Sequence, residues 1–241
     1  MSTYICSDMH GFYDRYKKML DCIKLKSDDT LYVIGDVIDR GPDGIKILQD
    51  MMKHKNIVMF IGNHEFMMLD YLELREKRGM NFPNNLWLHQ RNGGMKTLEA
   101  FDKLSKTEQN NIIEYLKNSY IQKEITADNK KFMLCHAFYS KNDKDLIYKD
   151  TNRQVVDTVV WYSPFRYDSL HMPFDMYDED YIFVTGHVPT LTMGFEAPYI
   201  EENVVDIDGG CAISVDNPEY GNLCCIQLDN LFNKPFVLNI R

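Results

Sequence analysis

Five short polar clusters carry the side chains that hold divalent cations or move protons: Asp8-Met9-His10, Gly35-Asp36 with Asp39-Arg40-Gly41, Gly62-Asn63-His64-Glu65, His136, and Gly186-His187. Carboxylates, imidazoles and amide oxygens are costly to bury unpaired. A divalent cation satisfies several of them at once by replacing the hydration they lose. One such cluster alone is weak evidence, because a Gly-Asn-His reads equally well as a turn and a strand-end Asp as a helix cap. Five in succession imply clustered metals and the Lewis-acid chemistry that metals bring.

The clusters fall where buried strands end. Residues 4–6, 31–34 and 57–61 are apolar runs that stop at Ser7-Asp8, Gly35-Asp36 and Gly62-Asn63, as strands entering a polar turn do. Helix-like stretches follow: 13–22, with Tyr16, Met19, Leu20 and Ile23 on one face, and 44–52, with Ile45, Ile47, Leu48 and Met51. The opening third is therefore β-α-β-α-β, a largely parallel sheet whose ligand crevice lies at the carboxyl ends of its strands, where the clusters sit. Residues 66–120 read as mostly helical, with Ile112, Ile113, Leu116 and Tyr120 at helical spacing and Pro83 and Gly93-Gly94 as interruptions. This predicts a helical cap or insertion. Strands return at 132–135, 181–185, 204–207 and 223–228. The expectation is one α/β domain over residues 1–241, a two-sheet β-sandwich flanked by helices.

A formal charge of −9 argues against a nucleic-acid binder, which needs a basic face, so metal rather than net charge must attract any anion. The six cysteines include no C-x-x-C pair, which suits reduced, buried thiols and a cytoplasmic protein. No apolar run approaches the roughly 20 residues of a membrane span, and the start lacks a signal-peptide pattern. Cys135 reads as a buried strand residue rather than a nucleophile. His54, His89 and His171 read as surface or loop histidines, His89 lying near Trp87 within reach of a substrate.

The successive D-x-H-G, G-D-x-x-D-R-G, G-N-H-E, H-A and G-H motifs, spread from Asp8 to His187, resemble those of the metallophosphoesterase superfamily, in particular its phosphoprotein phosphatase branch. Asn92-Gly93-Gly94, Thr97-Leu98-Glu99 and Asp206-Ile207-Asp208-Gly209-Gly210 also look like bacterial members. The resemblance implies two divalent ions, manganese first, with iron and zinc as alternatives. Asp8 and His10 would bind one, Asn63, His136 and His187 the other, and Asp36 both, so that a hydroxide shared by the metals attacks phosphorus in line. It implies Arg40 as a bidentate phosphate donor, His64 as general acid and Asp39 as the group that favours its protonated form. Asn92 and Arg166 are further candidate substrate contacts, with Arg153 as the other arginine flanking Trp161. The bland reading of His64 and Asp39 is a helix cap and a partner for Arg40.

Two positions depart from the pattern: Ile61 stands where many relatives carry an arginine before G-N-H-E, and Phe138 stands where glycine is usual. The expected function is hydrolysis of phosphomonoesters, foremost phosphoserine and phosphothreonine in proteins. The partner is accordingly a phosphorylated protein or a small phosphoester, with no nucleic acid and no membrane. The alternative is a symmetrical dinucleoside tetraphosphatase. Ile61 leans toward it, whereas Asp39 and Glu65 lean toward monoesters. A non-catalytic phosphate sensor is a second alternative, and the presence of every candidate ligand and of His64 speaks against it.

Overall fold

The computed structural model describes residues 1–79, 85–163, 178–215 and 220–241. Strands β1 (Thr3–Cys6), β2 (Thr30–Ile34) and β3 (Ile57–Phe60) pair in parallel, joined by α1 (Tyr13–Ile23) and α2 (Gly44–Met51). Both helices bury the apolar face read from the sequence, α1 through Tyr16, Met19 and Ile23 and α2 through Ile45, Ile47, Leu48 and Met51. Helices α3 (Asn63–Arg78), α4 (Gly94–Asp102) and α5 (Lys106–Lys117) then lead to β4 (Tyr120–Ala127), which pairs with β5 (Lys130–Cys135). Next come β6 (Leu146–Ile147), α6 (Arg153–Trp161), β7 (Ile182–Thr185), β8 (Tyr199–Glu201), β9 (Val204–Asp206), β10 (Leu223–Gln227) and β11 (Phe236–Ile240).

The strands form one hydrogen-bonded path, β11-β10-β1-β2-β3-β4-β5-β7-β9-β8, with β6 on β4. The sandwich is thus a single curled sheet. Its halves meet through one pair, Phe60 with Tyr120. Side-chain alternation along each strand separates two cores. Ile5, Ile34, Phe60, Phe132, Leu134, Val184, Val205 and Ile226, drawn from both halves, pack with one another. The alternate residues Cys6, Val33, Met59, Met133, Phe183 and Cys225 join the core that the helices cover. Phe66, Met68, Tyr71, Leu98, Phe101, Ile112 and Leu116 belong to that second core, so α3, α4 and α5 pack into the layer outside the sheet.

The helical spacing that included Tyr120 overran the helix. α5 ends at Lys117, Asn118 and Ser119 turn the chain, and Tyr120 opens β4. Among the described residues, no helix is long and apolar enough to cross a membrane.

Candidate active site

The carboxyl ends of β1, β2, β3, β5 and β7 deliver Asp8 with His10, Asp36, Asn63 with His64, His136 and His187 to one place. The turns that carry them are strained. Asp8, His10, Asp36, Asp39, Arg40 and His187 all have positive φ, between 45° and 74°, a conformation that disfavours side chains other than glycine's and collects at functional sites. Backbone bonds lace the turns together: Asp8 N–H to Gly35 O at 3.1 Å, His10 N–H to Asp36 O at 2.9 Å, Gly41 N–H to His10 O at 2.8 Å. Gly62 is required by close approach, since a Cβ there would lie 2.2 Å from Asp36 Oδ1.

Asp36 is central. Its Oδ2 lies 3.7 Å from His10 Nε2 and 3.8 Å from His64 Nε2, and its Oδ1 lies 3.4 Å from His136 Nε2. It belongs to both close donor groups found among the described residues, His10–Asp36–His64 and Asp36–His136–His187. Asn63 Oδ1 stands 3.1 Å from His136 Nε2 and 2.9 Å from His187 Nδ1.

The donor set suits cations. His10 and His136 give their Nδ1–H to the carbonyls of Ile38 and Ile34, at 3.1 and 2.8 Å, so that each presents the Nε2 lone pair to its neighbours. The His136 lone pair faces the oxygens of Asn63 and Asp36, acceptor toward acceptor. Asp8 Oδ1 is buried without a hydrogen-bond partner. Such convergence of unshared lone pairs is what a divalent ion resolves. With protons alone, His136 is pulled down by burial but carried up to about 10 by Asp36 and Asp8. Burial likewise opposes ionisation of Asp36, yet His136, His64 and His10 hold it well below the usual carboxylate range. Protons and metals therefore compete for one site.

His64 lies within the first donor group, but its Nδ1 is committed to Asp39 Oδ2 at 2.6 Å. Its Nε2 therefore faces the cluster. Burial lowers the His64 pKa, and the Asp36 charge and the Asp39 hydrogen bond overcome it, leaving the value raised. The reading of Asp39 as a partner for Arg40 finds no contact here. The Arg40 guanidinium instead reaches His10 Nε2, with Nη1 at 2.6 Å.

Three residues to which the sequence reading gave no role hold this arrangement. Trp87 Nε1–H donates to Asp39 Oδ2 at 2.8 Å, and Thr97 Oγ1 donates to Asp39 Oδ1 at 2.6 Å while accepting Asp39 N–H at 3.0 Å. Nothing in the spacing of Trp87 and Thr97 announces a contact 48 and 58 residues away. Thr97→Val removes one donor from a fully buried carboxylate, and about 1–3 kcal/mol of stability should be lost, read as a lower denaturant midpoint; an unchanged midpoint would exclude this support.

Glu65 is the third. Its Oε2 accepts the N–H groups of Asp36 and Gly62 at 2.9 and 3.0 Å, and its Oε1 those of Val37 and Ile38 at 2.8 and 3.2 Å. Its place three residues into a helix was legible as a capping signal, but its reach across to the Asp36 turn was not. Glu65→Gln turns an NH2 toward two of these donors. We expect a stability loss on the order of 3 kcal/mol together with weaker metal binding by calorimetry. Native stability and affinity in that variant would remove Glu65 from this role.

The remaining candidates lie elsewhere. The Asn92 amide donates to Leu86 O at 2.7 Å and lies 3.7 Å from Met67 Sδ of α3, so its donors are turned to its own loop and to α3. Arg153 is ion-paired with Asp70 and sits 4.9 Å over the Phe66 ring. Arg166 and His171 fall outside the described residues. His89 is exposed, and Cys135 is fully buried, with burial pushing its thiol up, as suits a strand residue rather than a nucleophile.

Residues 1–208 match the family described as calcineurin-like phosphoesterase, and the chain belongs to that family. It is a metallophosphoesterase, a hydrolase of phosphatase type, and membership implies divalent metal ions. The symmetrical bis(5'-nucleosyl)-tetraphosphatase of Wigglesworthia glossinidia brevipalpis is 44% identical over 71 residues, 29% of this chain and 26% of that protein. The match thus spans about a quarter of that relative's length. Among solved structures, a candidate diadenosine tetraphosphatase superposes with a TM-score of 0.66 at 15% identity, covering 99% of this chain and 93% of that one. A protein serine/threonine phosphatase from Saccharomyces cerevisiae gives 0.62 at 12% identity, covering 100% and 80%. These two likenesses concern the fold.

Proposed function

We propose that the chain is a two-metal phosphohydrolase acting on dinucleoside polyphosphates, as a symmetrical dinucleoside tetraphosphatase. The 44% identity over 71 residues to a protein of that activity carries this reading, and the absence of an arginine at Ile61 agrees with it. The order of preference drawn from the sequence, protein phosphatase first, is accordingly reversed.

Asp8, His10, Asp36, Asn63, His136 and His187 would hold the two ions, with Asp36 reaching both groups. When bound, divalent ions supply Lewis-acid activation of water and of the phosphoryl group. Arg40, at the mouth of the cluster, binds phosphoryl oxygens through its paired N–H groups. His64 gives the Nε2 proton to the leaving oxygen, and Asp39, fixed by Trp87 and Thr97, keeps that proton in place and the ring oriented. The strained turns hold these groups before substrate arrives, which spares reorganisation during the reaction.

A specific observation favours a second reading. A nucleoside diphosphate departs as a phosphate oxygen, whose protonation pKa of about 6 makes it a good leaving group unaided. A serine or threonine alkoxide needs a proton. A fully built acid, His64 Nδ1 on Asp39 Oδ2 at 2.6 Å, is therefore of greater use to a phosphomonoesterase. The deciding experiment compares kcat/KM of manganese-loaded protein on a dinucleoside tetraphosphate and on a phosphothreonine peptide. Preference for the dinucleotide supports the first reading, preference for the peptide replaces it with the second, and metal-independent or absent turnover on both refutes the two together.

A further inference from the structure

A recess of about 360 Å³ borders the cluster, between one face of α3 and one face of α6. Phe66 and Asp70 line it from α3 and Arg153, Asp157 and Trp161 from α6, at the i, i+4 and i+8 spacing that puts them on one stripe. Leu86, 62% exposed, closes its side. The end nearest the cluster is aromatic: the partly exposed Trp161 ring stands edge-on to His187, 6.1 Å between centroids at 89°. The far end is polar, with the Asp70–Arg153 ion pair and the exposed Asp157 carboxylate. From Asn63, at the cluster, to Asp70 the helix rises through seven residues, about 10 Å.

We infer that this recess is a nucleobase subsite: the base of the departing nucleoside diphosphate stacks on Trp161, and the Asp157 carboxylate accepts hydrogen bonds from an exocyclic amino group. This deepens the dinucleotide reading and rests on it. The recess has the features such a ligand requires. An aromatic wall adjoins the donor cluster through His187, and the exposed Asp157 carboxylate lies one helical turn beyond it.

The test separates the subsite from the reaction by using equilibrium binding. ADP and inorganic pyrophosphate are titrated calorimetrically into manganese-loaded wild type, Trp161→Ala and Trp161→Phe, with metal content measured for each because Trp161 abuts His187. ADP should bind wild type more tightly than pyrophosphate. Trp161→Ala should reduce that ratio about tenfold, the loss of ~1.4 kcal/mol of base stacking, and Trp161→Phe should restore most of it. ADP should also quench the tryptophan emission of wild type, since Trp87 is fully buried and Trp161 is the second of the chain's two tryptophans. An ADP-to-pyrophosphate ratio equal in all three proteins, or ADP binding no tighter than pyrophosphate in wild type, overturns the subsite even if the dinucleotide is hydrolysed. Loss of dinucleotide turnover in wild type with the ratio behaving as expected overturns the reaction assigned above and leaves a nucleotide-binding recess.

Discussion

Asp36→Asn is expected to lower kcat by about 10³-fold or more and to leave the protein unable to retain two cations. Among the described residues, Asp36 is the one side chain shared by both donor groups, with Oδ2 3.7 Å from His10 Nε2 and Oδ1 3.4 Å from His136 Nε2. An amide keeps the shape but offers one oxygen in place of two and removes the charge that both ions would share. Metal content by mass spectrometry and kcat should fall together. A variant that kept two tightly held ions would show that Asp36 does not link them.

The second large effect belongs to His64. His64→Asn should cut kcat on a phosphothreonine peptide by about 10²–10⁴-fold while metal content stays at the wild-type level. On a dinucleoside tetraphosphate the loss should be nearer tenfold, because the leaving phosphate needs less help from a proton. Metal loss in the variant would instead make His64 a ligand, as its place in the first donor group allows. The pH profile gives an independent reading. The His64 pKa is raised, with burial opposed by the Asp36 charge and the Asp39 hydrogen bond. The acid form is therefore fully present below the ordinary histidine value and is lost as pH rises through the raised one. Asp39→Asn removes one of the raising groups, so the alkaline limb of kcat should move to lower pH; a limb that stays in place would detach Asp39 from that proton.

The predicted donors converge because strand ends were legible. The apolar strand runs from residue 4 to 61 stop at Ser7-Asp8, Gly35-Asp36 and Gly62-Asn63, and the parallel β-α-β order places those stops on one edge. His136 and His187 were legible as polar residues closing the runs at 132–135 and 181–185, but their assignment to one ion together with Asn63 came only from the resemblance. β4 was hidden by Tyr120, which continues the apolar spacing of α5, and β8 and β11 were hidden because exposed positions such as Ile200, Phe236 and Val237 break the alternation of a half-buried strand. The sandwich reading was correct in its two facing layers, but pairing across Phe60 and Tyr120 makes them one sheet, and register between distant strands leaves no trace in local periodicity. Trp87, Thr97 and Glu65 escaped for the same reason. Their importance lies in hydrogen bonds to residues 27 to 58 positions away, a relation that only the folded chain displays.

The central claim is that Asp36 joins two cation sites, and it is tested most directly by titrating metal-stripped protein with manganese and counting the ions bound, with electron paramagnetic resonance on the saturated sample. Two ions per chain with the spectrum of a coupled pair is the predicted result. One ion per chain, or two whose signals are those of isolated manganese, would contradict it.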